Sequence, residues 1–353
     1  MRAYRMTGWG EAPAHTEVPV PAPGPGEVLI RVAGCGLCRS DLTMRQMPRK
    51  IGERLGWRMP FTLGHEIAGR VAATGPGVTG PGFAGPGFTG PGITGPGGAG
   101  LAVGTPVALT ASASCGTCWH CVRGLDNSCP HGLAGRGYGR DGGLADYVLA
   151  GSRSVLPLAG LDPRHAGPLT DAGATAYHAV RRALPRIVPG GTAVVLGAGG
   201  LGAFAVQFLR VLTAARVVAV DLDPARRAHA ESVGAHETRS DVEAAHADAV
   251  LDFVGTDATI AAGIAAVRPG GAYGLIGSAG GRLDRPWFGT LPRDGEVYTF
   301  QGSTIADAQE VVALAAAGLI RNQVEEFPFE KAGEAYERLA AGTLTGRAVV
   351  LLS

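Results

Sequence analysis

The amino-acid sequence predicts an α/β protein in which a β-rich first third precedes a doubly wound parallel sheet. In the first third, short aliphatic runs at 28–32 and 66–71 are bounded by glycine and proline, a pattern typical of strands. From residue 192 onwards, strand-like and helix-like runs alternate, which indicates βαβ units with parallel strands. The 353 residues are enough for two domains, because single cores rarely grow past about 250–300 residues.

Hydrophobic periodicity divides the alternating region into elements. It predicts strands at 192–196, 216–220, 248–254 and 272–276, and helices at 201–212, 224–233 and 256–267. A helix at 305–317 is expected to close this domain. The tail, with a helix at 330–341 and a strand at 348–352, is expected to return to the first domain.

Composition excludes several classes of partner. Lys and Arg total 31 against 30 Asp and Glu, a balance that provides no basic field for nucleic acid and no polybasic patch for a membrane surface. The most apolar stretch, 193–209, is rich in glycine and contains Gln207, which favours a buried strand and helix over a membrane span. Residues 1–5 lack the apolar core of a signal peptide. We therefore predict a cytoplasmic protein.

A tract rich in glycine and proline occupies residues 75–100. It repeats in pentads, GPGVT, GPGFA, GPGFT, GPGIT and GPGGA. Proline followed by glycine suits the centre of a type II turn, and glycine does not recur at every third position as it does in collagen. We predict an extended surface loop inserted between two strands. Phe83, Phe88 and Ile93 leave open the alternative that the tract docks on a partner.

Four of the six cysteines are clustered at 115–129. Cys115, Cys118, Cys121 and Cys129 are enough to close a tetrahedral structural zinc site, which has no open position for a substrate. Clustering without an export signal favours metal ligands in a reducing compartment over disulfides. His120 lies inside the cluster but is surplus to the four ligands.

A glycine-rich turn follows the predicted strand at 192–196. Gly197, Gly199 and Gly202 form the pattern G-x-G-x-x-G, with Gly200 and Leu201 opening the next helix. The first glycine permits a tight turn, the second lets the backbone approach a pyrophosphate, and the third allows close packing of the helix. The N-terminus of that helix would face the anion. The sequence therefore predicts a dinucleotide site.

The end of the next strand predicts which dinucleotide is bound. Asp221 lies 19 residues after Gly202, where a carboxylate accepts hydrogen bonds from the ribose hydroxyls and repels a 2′-phosphate. This favours NAD over NADP. Arg226 has two open interpretations, an adenine contact or a solvated charge on a helix.

A second metal site has no local motif. Cys38, His65 and Asp171 are dispersed, and spacing alone does not assemble them. However, the segments 36–41, 64–66 and 168–173, together with the cysteine cluster and the glycine-rich turn, occur in the order found in zinc-dependent medium-chain alcohol dehydrogenases. The chain resembles this family over its whole length except the pentad tract.

The resemblance implies a fold and an assembly. A GroES-like β domain would comprise 1–172 and 311–353, with the pentad insertion at 75–100 and a structural zinc lobe at 115–129, and a Rossmann NAD-binding domain would comprise 173–310. It also implies two zinc ions per chain, bound NAD(H) and a homodimer or homotetramer.

The resemblance also assigns the catalytic zinc to Cys38, His65 and Asp171. A bacterial branch that acts on secondary alcohols is similar in using aspartate as the third ligand, and this set suits zinc. Asp41 would orient His65 through its other ring nitrogen, and Glu66 would serve as an alternative ligand during exchange.

Further roles concern the cofactor and the proton. The resemblance implies that Arg39 and Arg347 contact the pyrophosphate and that Thr175 lines the nicotinamide. Ser40 would accept the proton of the alcohol. Many members have a histidine that relays this proton to water, but this chain has Thr43 at that position, so the relay must end elsewhere.

These assignments predict a zinc-dependent oxidoreductase that transfers a hydride between NAD(H) and an alcohol paired with its ketone or aldehyde. Because Thr43 replaces the relay histidine, a reductase of C=C or C=N bonds with the same fold remains an alternative hypothesis. A catalytically silent NAD-binding regulator is the third hypothesis. The complete zinc ligand sets and Ser40 argue against it.

Overall fold

The computed structural model describes residues 1–78, 101–242, 246–284 and 286–352. Most of the pentad tract, residues 79–100, lies outside this range, so the predicted surface loop there stays a prediction. The chain divides into two compact units. The first unit contains Met1–Ala174, Gly302–Gly318 and Asn322–Ser353, and the second contains Thr175–Gln301 and Leu319–Arg321.

The strands of the described residues are numbered in chain order. They are β1 (Arg2–Met6), β2 (Ala14–Glu17), β3 (Glu27–Gly36), β4 (Phe61–Thr62), β5 (Glu66–Thr74), β6 (Pro106–Leu109), β7 (Gly135–Arg136), β8 (Gly139–Arg140), β9 (Tyr147–Gly151), β10 (Val155–Pro157), β11 (Thr192–Leu196), β12 (Arg216–Val220), β13 (Glu237–Arg239), β14 (Ala247–Asp252), β15 (Val267–Leu275), β16 (Glu296–Thr299), β17 (Val324–Pro328) and β18 (Arg347–Leu351).

The helices are numbered in the same way. The α-helices are α1 (Arg39–Arg45), α2 (Arg49–Arg54), α3 (Ala172–Ala183), α4 (Gly200–Leu212), α5 (Pro224–Ser232), α6 (Asp257–Ala266), α7 (Ile305–Ala316) and α8 (Ala332–Ala341). Short 3-10 turns lie at Cys121–Arg123, Asp126–Ser128, Ser152–Ser154, Gly167–Thr170, Leu184–Arg186 and Phe329–Lys331.

A seven-stranded sheet forms the body of the first unit. Its order is β10-β6-β5-β3-β18-β17, and β9 also pairs with β3. Strand β3 is central because it pairs with β5, β18 and β9. Its Val28, Ile30 and Val32 are buried in the core, whereas Arg31 is exposed.

The tail of the chain completes this sheet. Strand β18 runs antiparallel to β3, with Val350 opposite Cys35, and parallel to β17. Helix α8 buries Ala332, Ala335 and Tyr336 in the same core. The predicted return of the tail to the first part of the chain agrees with this pairing.

The second unit is a six-stranded sheet with the order β13-β12-β11-β14-β15-β16, and all of its pairs are parallel. Strand order reverses at β11, which pairs with β12 on one side and β14 on the other. Ligands of such sheets bind where the order reverses, at the carboxyl ends of the strands. The turn that begins at Gly197 directly follows β11.

One helix differs in its placement from the sequence prediction. Helix α7 was expected to close the domain of the parallel sheet, but it belongs to the first unit. Its residues Ile305 and Ala308 pack with Leu156 and Ala174 of that unit. Because an amphipathic pattern reports that a helix has a buried face but not which core receives it, the sequence alone does not assign α7.

Candidate active site

Four side chains that are dispersed in sequence converge in the first unit. Ligand atoms of Cys38, His65, Glu66 and Asp171 all lie within 4.8 Å of one another. Strand pairing explains this convergence, since Gly36 at the end of β3 lies opposite Glu66 at the start of β5. Asp171 follows the buried 3-10 turn at Gly167–Thr170, which packs against β5. The structure therefore brings together the three ligands of the predicted catalytic zinc and Glu66.

A carboxylate lies beside each ring nitrogen of His65. Its Nδ1 lies 3.1 Å from Asp41 Oδ1, and its Nε2 lies 3.4 Å from Asp171 Oδ2. The other carboxylate oxygen of Asp41 accepts hydrogen bonds from the Cys38 backbone N–H and from the Tyr336 hydroxyl, each at 3.1 Å. Asp41 and His65 are fully buried. Asp41 thus lies where the predicted orienting role requires it, with Nε2 turned towards the cluster.

Glu66 is paired with Arg347 from the returning strand β18. The Arg347 guanidinium donates to Glu66 Oε1, and both side chains are buried. The sequence analysis assigned Arg347 a contact with the cofactor pyrophosphate. Within the first unit, its guanidinium pairs with Glu66. The contact with the pyrophosphate stays a prediction.

Burial and charge shift the pKa values of this cluster in different directions. Burial raises the pKa of Glu66 to about 8, although Arg347 works in the opposite direction. Burial also acts to raise the pKa of Asp171, but the charge and hydrogen bond of His65 outweigh it, so that this pKa is lowered. Burial acts to lower the pKa of His65, whereas Tyr138, Asp41 and Asp171 raise it well above its ordinary value. A buried imidazole surrounded by acids marks a site where positive charge is favoured.

The donor set fits zinc. One thiol, one imidazole and two carboxylates are ligands that zinc accepts in tetrahedral sites. In addition, Glu66 Oε2 is buried without a hydrogen-bond partner among the described residues. Because a buried polar atom without a partner is costly, a cation beside this carboxylate would stabilise it.

Tyr138 belongs to this site and was missed by the sequence analysis. Its hydroxyl lies 3.1 Å from His65 Nε2 and 3.1 Å from Ser40 Oγ. It sits in a turn between Gly137 and Gly139, which both have positive φ. An aromatic residue between two glycines predicts a turn, but it does not predict which side chains the aromatic residue will contact. No local sequence signal therefore identified Tyr138.

A second cluster consists of the four cysteines at 115–129. The sulfur of Cys118 lies 3.5 Å from that of Cys121 and 3.9 Å from that of Cys129, and Cys115 lies 4.0 Å from Cys121. All are free thiols. Backbone N–H groups donate to the sulfurs of Cys115 and Cys129, as expected around thiolates. His120 is not part of the group, in agreement with its being surplus.

The glycine-rich turn of the second unit has the backbone geometry predicted for it. Gly197 has φ of 84°, and Gly199 caps α4, which begins at Gly200 and Leu201. A Cβ on Gly202 would lie 1.9 Å from the carbonyl oxygen of Gly197, so only glycine fits there. The first backbone N–H groups of α4 are therefore free to face an anion.

Asp221 follows β12 beside this turn. Its Oδ2 accepts the Ala198 N–H at 2.9 Å, and its Oδ1 accepts the Asp223 N–H at 3.0 Å. Each carboxylate oxygen retains a lone pair for a ribose hydroxyl. Arg226 Nη1 lies 3.9 Å from Asp221 Oδ2, close enough for a weak charge interaction.

A model of the alcohol dehydrogenase GroES-like domain matches residues 24–84 and 89–160, and a model of zinc-binding dehydrogenases matches 227–350. An NAD-dependent alcohol dehydrogenase of Sulfurisphaera tokodaii is 32% identical over 99% of this chain and 100% of its own. The chain belongs to the zinc-dependent alcohol dehydrogenase family.

Solved structures of the family share the fold. The alcohol dehydrogenase of the archaeon Aeropyrum pernix is 29% identical, with a TM-score of 0.84 over 99% of this chain and 100% of that one. An acetophenone reductase of Geotrichum candidum, solved with NAD, is 28% identical, with a TM-score of 0.82 over 99% of this chain and 96% of that one. The predicted fold class, a GroES-like β domain with a doubly wound parallel sheet, is confirmed.

Two further residues assigned through the family are not members of the zinc cluster. Arg39 is the exposed first residue of α1, directly after Cys38, and Thr175 is buried in α3 as the first residue of the second unit. Their predicted contacts with NAD stay predictions. No helix in the described segments is both long and apolar enough to cross a membrane.

Proposed function

We propose that this member of the family is a zinc- and NAD-dependent dehydrogenase that interconverts a small alcohol and its ketone or aldehyde. The observation that carries the proposal is the convergence of Cys38, His65 and Asp171, to which two successive hydrogen bonds through Tyr138 connect the Ser40 hydroxyl. A metal ligand set next to a hydroxyl that can exchange a proton is what alcohol oxidation requires.

Cys38, His65 and Asp171 would hold the zinc, with Glu66 as an alternative ligand balanced by Arg347. Zinc, when bound, supplies Lewis acidity towards the oxygen of the alcohol or carbonyl. Asp41, whose Oδ1 lies 3.1 Å from Nδ1 of His65, would orient the ring and so keep Nε2 as the ligand atom. Tyr336 supports Asp41 in turn by donating its hydroxyl to Oδ2.

Ser40 would handle the proton. In the oxidation direction its oxygen would accept the hydroxyl proton of the substrate while its own proton passes through the cofactor ribose to water; NAD⁺ would supply the hydride acceptor. Thr43 is exposed and does not ionise near neutral pH, so it does not replace a relay histidine. The Tyr138 hydroxyl at 3.1 Å is a hydrogen-bond partner that fixes the position of Ser40 Oγ.

The second unit would bind NAD(H). Gly197–Gly202 would receive the pyrophosphate at the N-terminus of α4, and Asp221 would accept hydrogen bonds from the ribose hydroxyls and repel a 2′-phosphate. Arg39 and Arg347 would add positive charge near the pyrophosphate, Thr175 would line the nicotinamide, and Arg226 would contact the adenine.

The remaining assignments complete the proposal. The cysteine cluster would hold a second, structural zinc, giving two ions per chain. The catalytic domain would comprise 1–172 and 311–353, extended by α7, and the NAD domain would lie between these segments. The enzyme would work in the cytoplasm as a homodimer or homotetramer.

A substrate panel tests the proposal. Zinc-loaded protein should oxidise at least one primary or secondary alcohol with NAD⁺, or reduce the matching carbonyl with NADH, followed by NADH absorbance. Cys38→Ser should abolish this turnover. Turnover confined to C=C or C=N substrates would favour the reductase hypothesis, and NADH binding without any turnover would favour the silent regulator.

A further inference from the structure

Two arginines face each other in the short ladder of β7 and β8. Its register places Arg136 opposite Arg140. Neighbouring strands lie about 4.8 Å apart, so side chains at paired positions are close, and like charges in this arrangement repel each other. The pairing therefore costs stability unless something neutralises it.

Neither arginine has an acidic partner within the described residues. The Arg136 guanidinium donates to the Thr110 carbonyl oxygen at 2.8 Å, and the Arg140 side chain is exposed without an ion pair. Burial and the charge of Arg140 together lower the pKa of Arg136 to about 10. The pentad tract contains no acidic residue that would supply a counter-charge.

Both arginines line a cavity of about 700 Å³ in the first unit. Two further arginines of its wall are already neutralised, because Arg5 pairs with Asp141 at 2.9 Å and Arg153 pairs with Asp126. The cavity wall thus contains two guanidinium groups that are paired with a carboxylate and two, those of Arg136 and Arg140, that have no ion pair among the described residues.

The two carboxylates of the wall, Glu27 and Asp141, form no ion pair with Arg136 or Arg140 among the described residues. Glu27 accepts the Gly24 N–H at 2.9 Å, and Asp141 accepts the Thr62 N–H at 2.8 Å besides pairing with Arg5. The N-terminal ammonium of Met1, also in the wall, donates to the Val18 carbonyl at 2.7 Å. Even when the Cys115 thiol of the wall is counted as acidic, the cations of the wall outnumber its acidic groups, so the unbalanced charge of this cavity is positive.

We propose that Arg136 and Arg140 form a binding site for the phosphate group of a small molecule. A guanidinium presents a fork of N–H donors that matches a tetrahedral oxyanion, and two forks on one wall hold it between them. The bound dianion would remove the repulsion across the ladder and satisfy the donors that Arg136 leaves unused. Neither Arg136 nor Arg140 belongs to a metal cluster or to the glycine-rich turn, although Cys115 of the cysteine cluster also lines the cavity.

Occupancy of this site would also act on the turn between the two strands. Tyr138 lies in that turn, and its hydroxyl contacts Ser40 and His65. A ligand that bridges Arg136 and Arg140 would restrain both ends of the turn and thereby the position of Tyr138. The binding site itself does not rest on the proposed function.

Phosphate binding is tested by thermal melting and hydrogen exchange on the zinc-loaded full chain. The melting temperature should rise saturably with inorganic phosphate relative to chloride at equal ionic strength, which controls for screening. Amides of the segment containing β7 and β8 should gain protection. Arg140→Gln, at an exposed position, should raise the apparent Kd for phosphate by about tenfold or more. Arg136→Gln should have the same effect.

Arg31 and Arg70 provide a matched control. They are also paired in register, between β3 and β5, but both are exposed and neither lines the cavity. Arg70→Gln should leave the response to phosphate unchanged. A phosphate response that is the same in Arg140→Gln and Arg136→Gln as in the unaltered protein, or absent from the unaltered protein, would overturn the proposal.

Discussion

Ser40 is the residue whose substitution tests the proposed chemistry most directly. Ser40→Ala should lower kcat by roughly 10²–10⁴-fold, the usual size of a general acid–base contribution. Steady-state kinetics with the best alcohol of the panel, together with zinc content and NADH binding, would measure this. Full activity in a variant that still binds zinc and NADH would contradict the proposed proton path.

Thr43→Ala is the control for that experiment. Thr43 is exposed and has no ionisation near neutral pH, so its loss should leave the pH–rate profile nearly unchanged. A histidine introduced at position 43, in contrast, should add a new ionisation to the pH–rate profile of alcohol oxidation.

Asp221 is expected to set the choice of cofactor. Its carboxylate is fixed by the N–H groups of Ala198 and Asp223, so it stays where a 2′-phosphate would be repelled. Asp221→Gly should narrow or reverse the preference for NADH over NADPH, since the carboxylate that repels the 2′-phosphate is removed while Arg226 remains nearby, with Asp223 as its other acidic neighbour. The ratio of kcat/KM values for the two cofactors measures this, and a ratio near one in the unaltered protein would contradict the assignment.

At the scale of elements, the cysteine lobe and the dispersed cluster should behave differently. Cys129→Ala should lower the melting temperature and promote aggregation, because metal binding to a structural site contributes directly to folding. Cys38→Ala should abolish turnover while the melting temperature changes little. Elemental analysis should find two zinc ions in the unaltered chain and one in either variant. One zinc in fully active protein would refute the separate roles.

The elements also show where sequence patterns are sufficient. Strands β11, β12, β14 and β15 and the helices between them follow from apolar periodicity, because a buried parallel strand and an amphipathic helix each leave a local pattern. The signal for the glycine-rich turn is equally local, because the need for glycine arises from backbone geometry and contacts with nearby residues.

Local sequence patterns do not predict contacts between residues that are far apart in the sequence. The dispersed zinc cluster forms because β3, β5 and a 3-10 turn meet, and only the resemblance to a family indicated it from sequence. Tyr138 and the Glu66–Arg347 pair depend on the same tertiary contacts. The assignment of α7 to one unit depends on which core accepts its apolar face.

For the molecule as a whole, the pentad tract should be dispensable for chemistry. Glycine and proline at this density do not form a core, and the entropic cost of closing a loop rises only by about 0.6 kcal/mol per doubling of its length. Deletion of residues 81–100 should therefore leave kcat within a few-fold and the melting temperature nearly unchanged. A large loss of activity in a folded deletion variant would show that the tract reaches the substrate or a partner.

The pairing of β18 with β3 also has a consequence for biosynthesis. Tyr336 meets Asp41 across 295 positions and Arg347 meets Glu66 across 281, so the dispersed cluster is complete only when the last part of the chain has been translated. At 5–20 residues per second, these partners of Asp41 and Glu66 are synthesised roughly 15–60 s after Asp41 and Glu66 themselves. The cysteine lobe, whose ligands are separated by at most 14 positions, is finished long before. A nascent chain should therefore retain zinc at the cysteines first, and at the dispersed cluster only after its C-terminal strand is released.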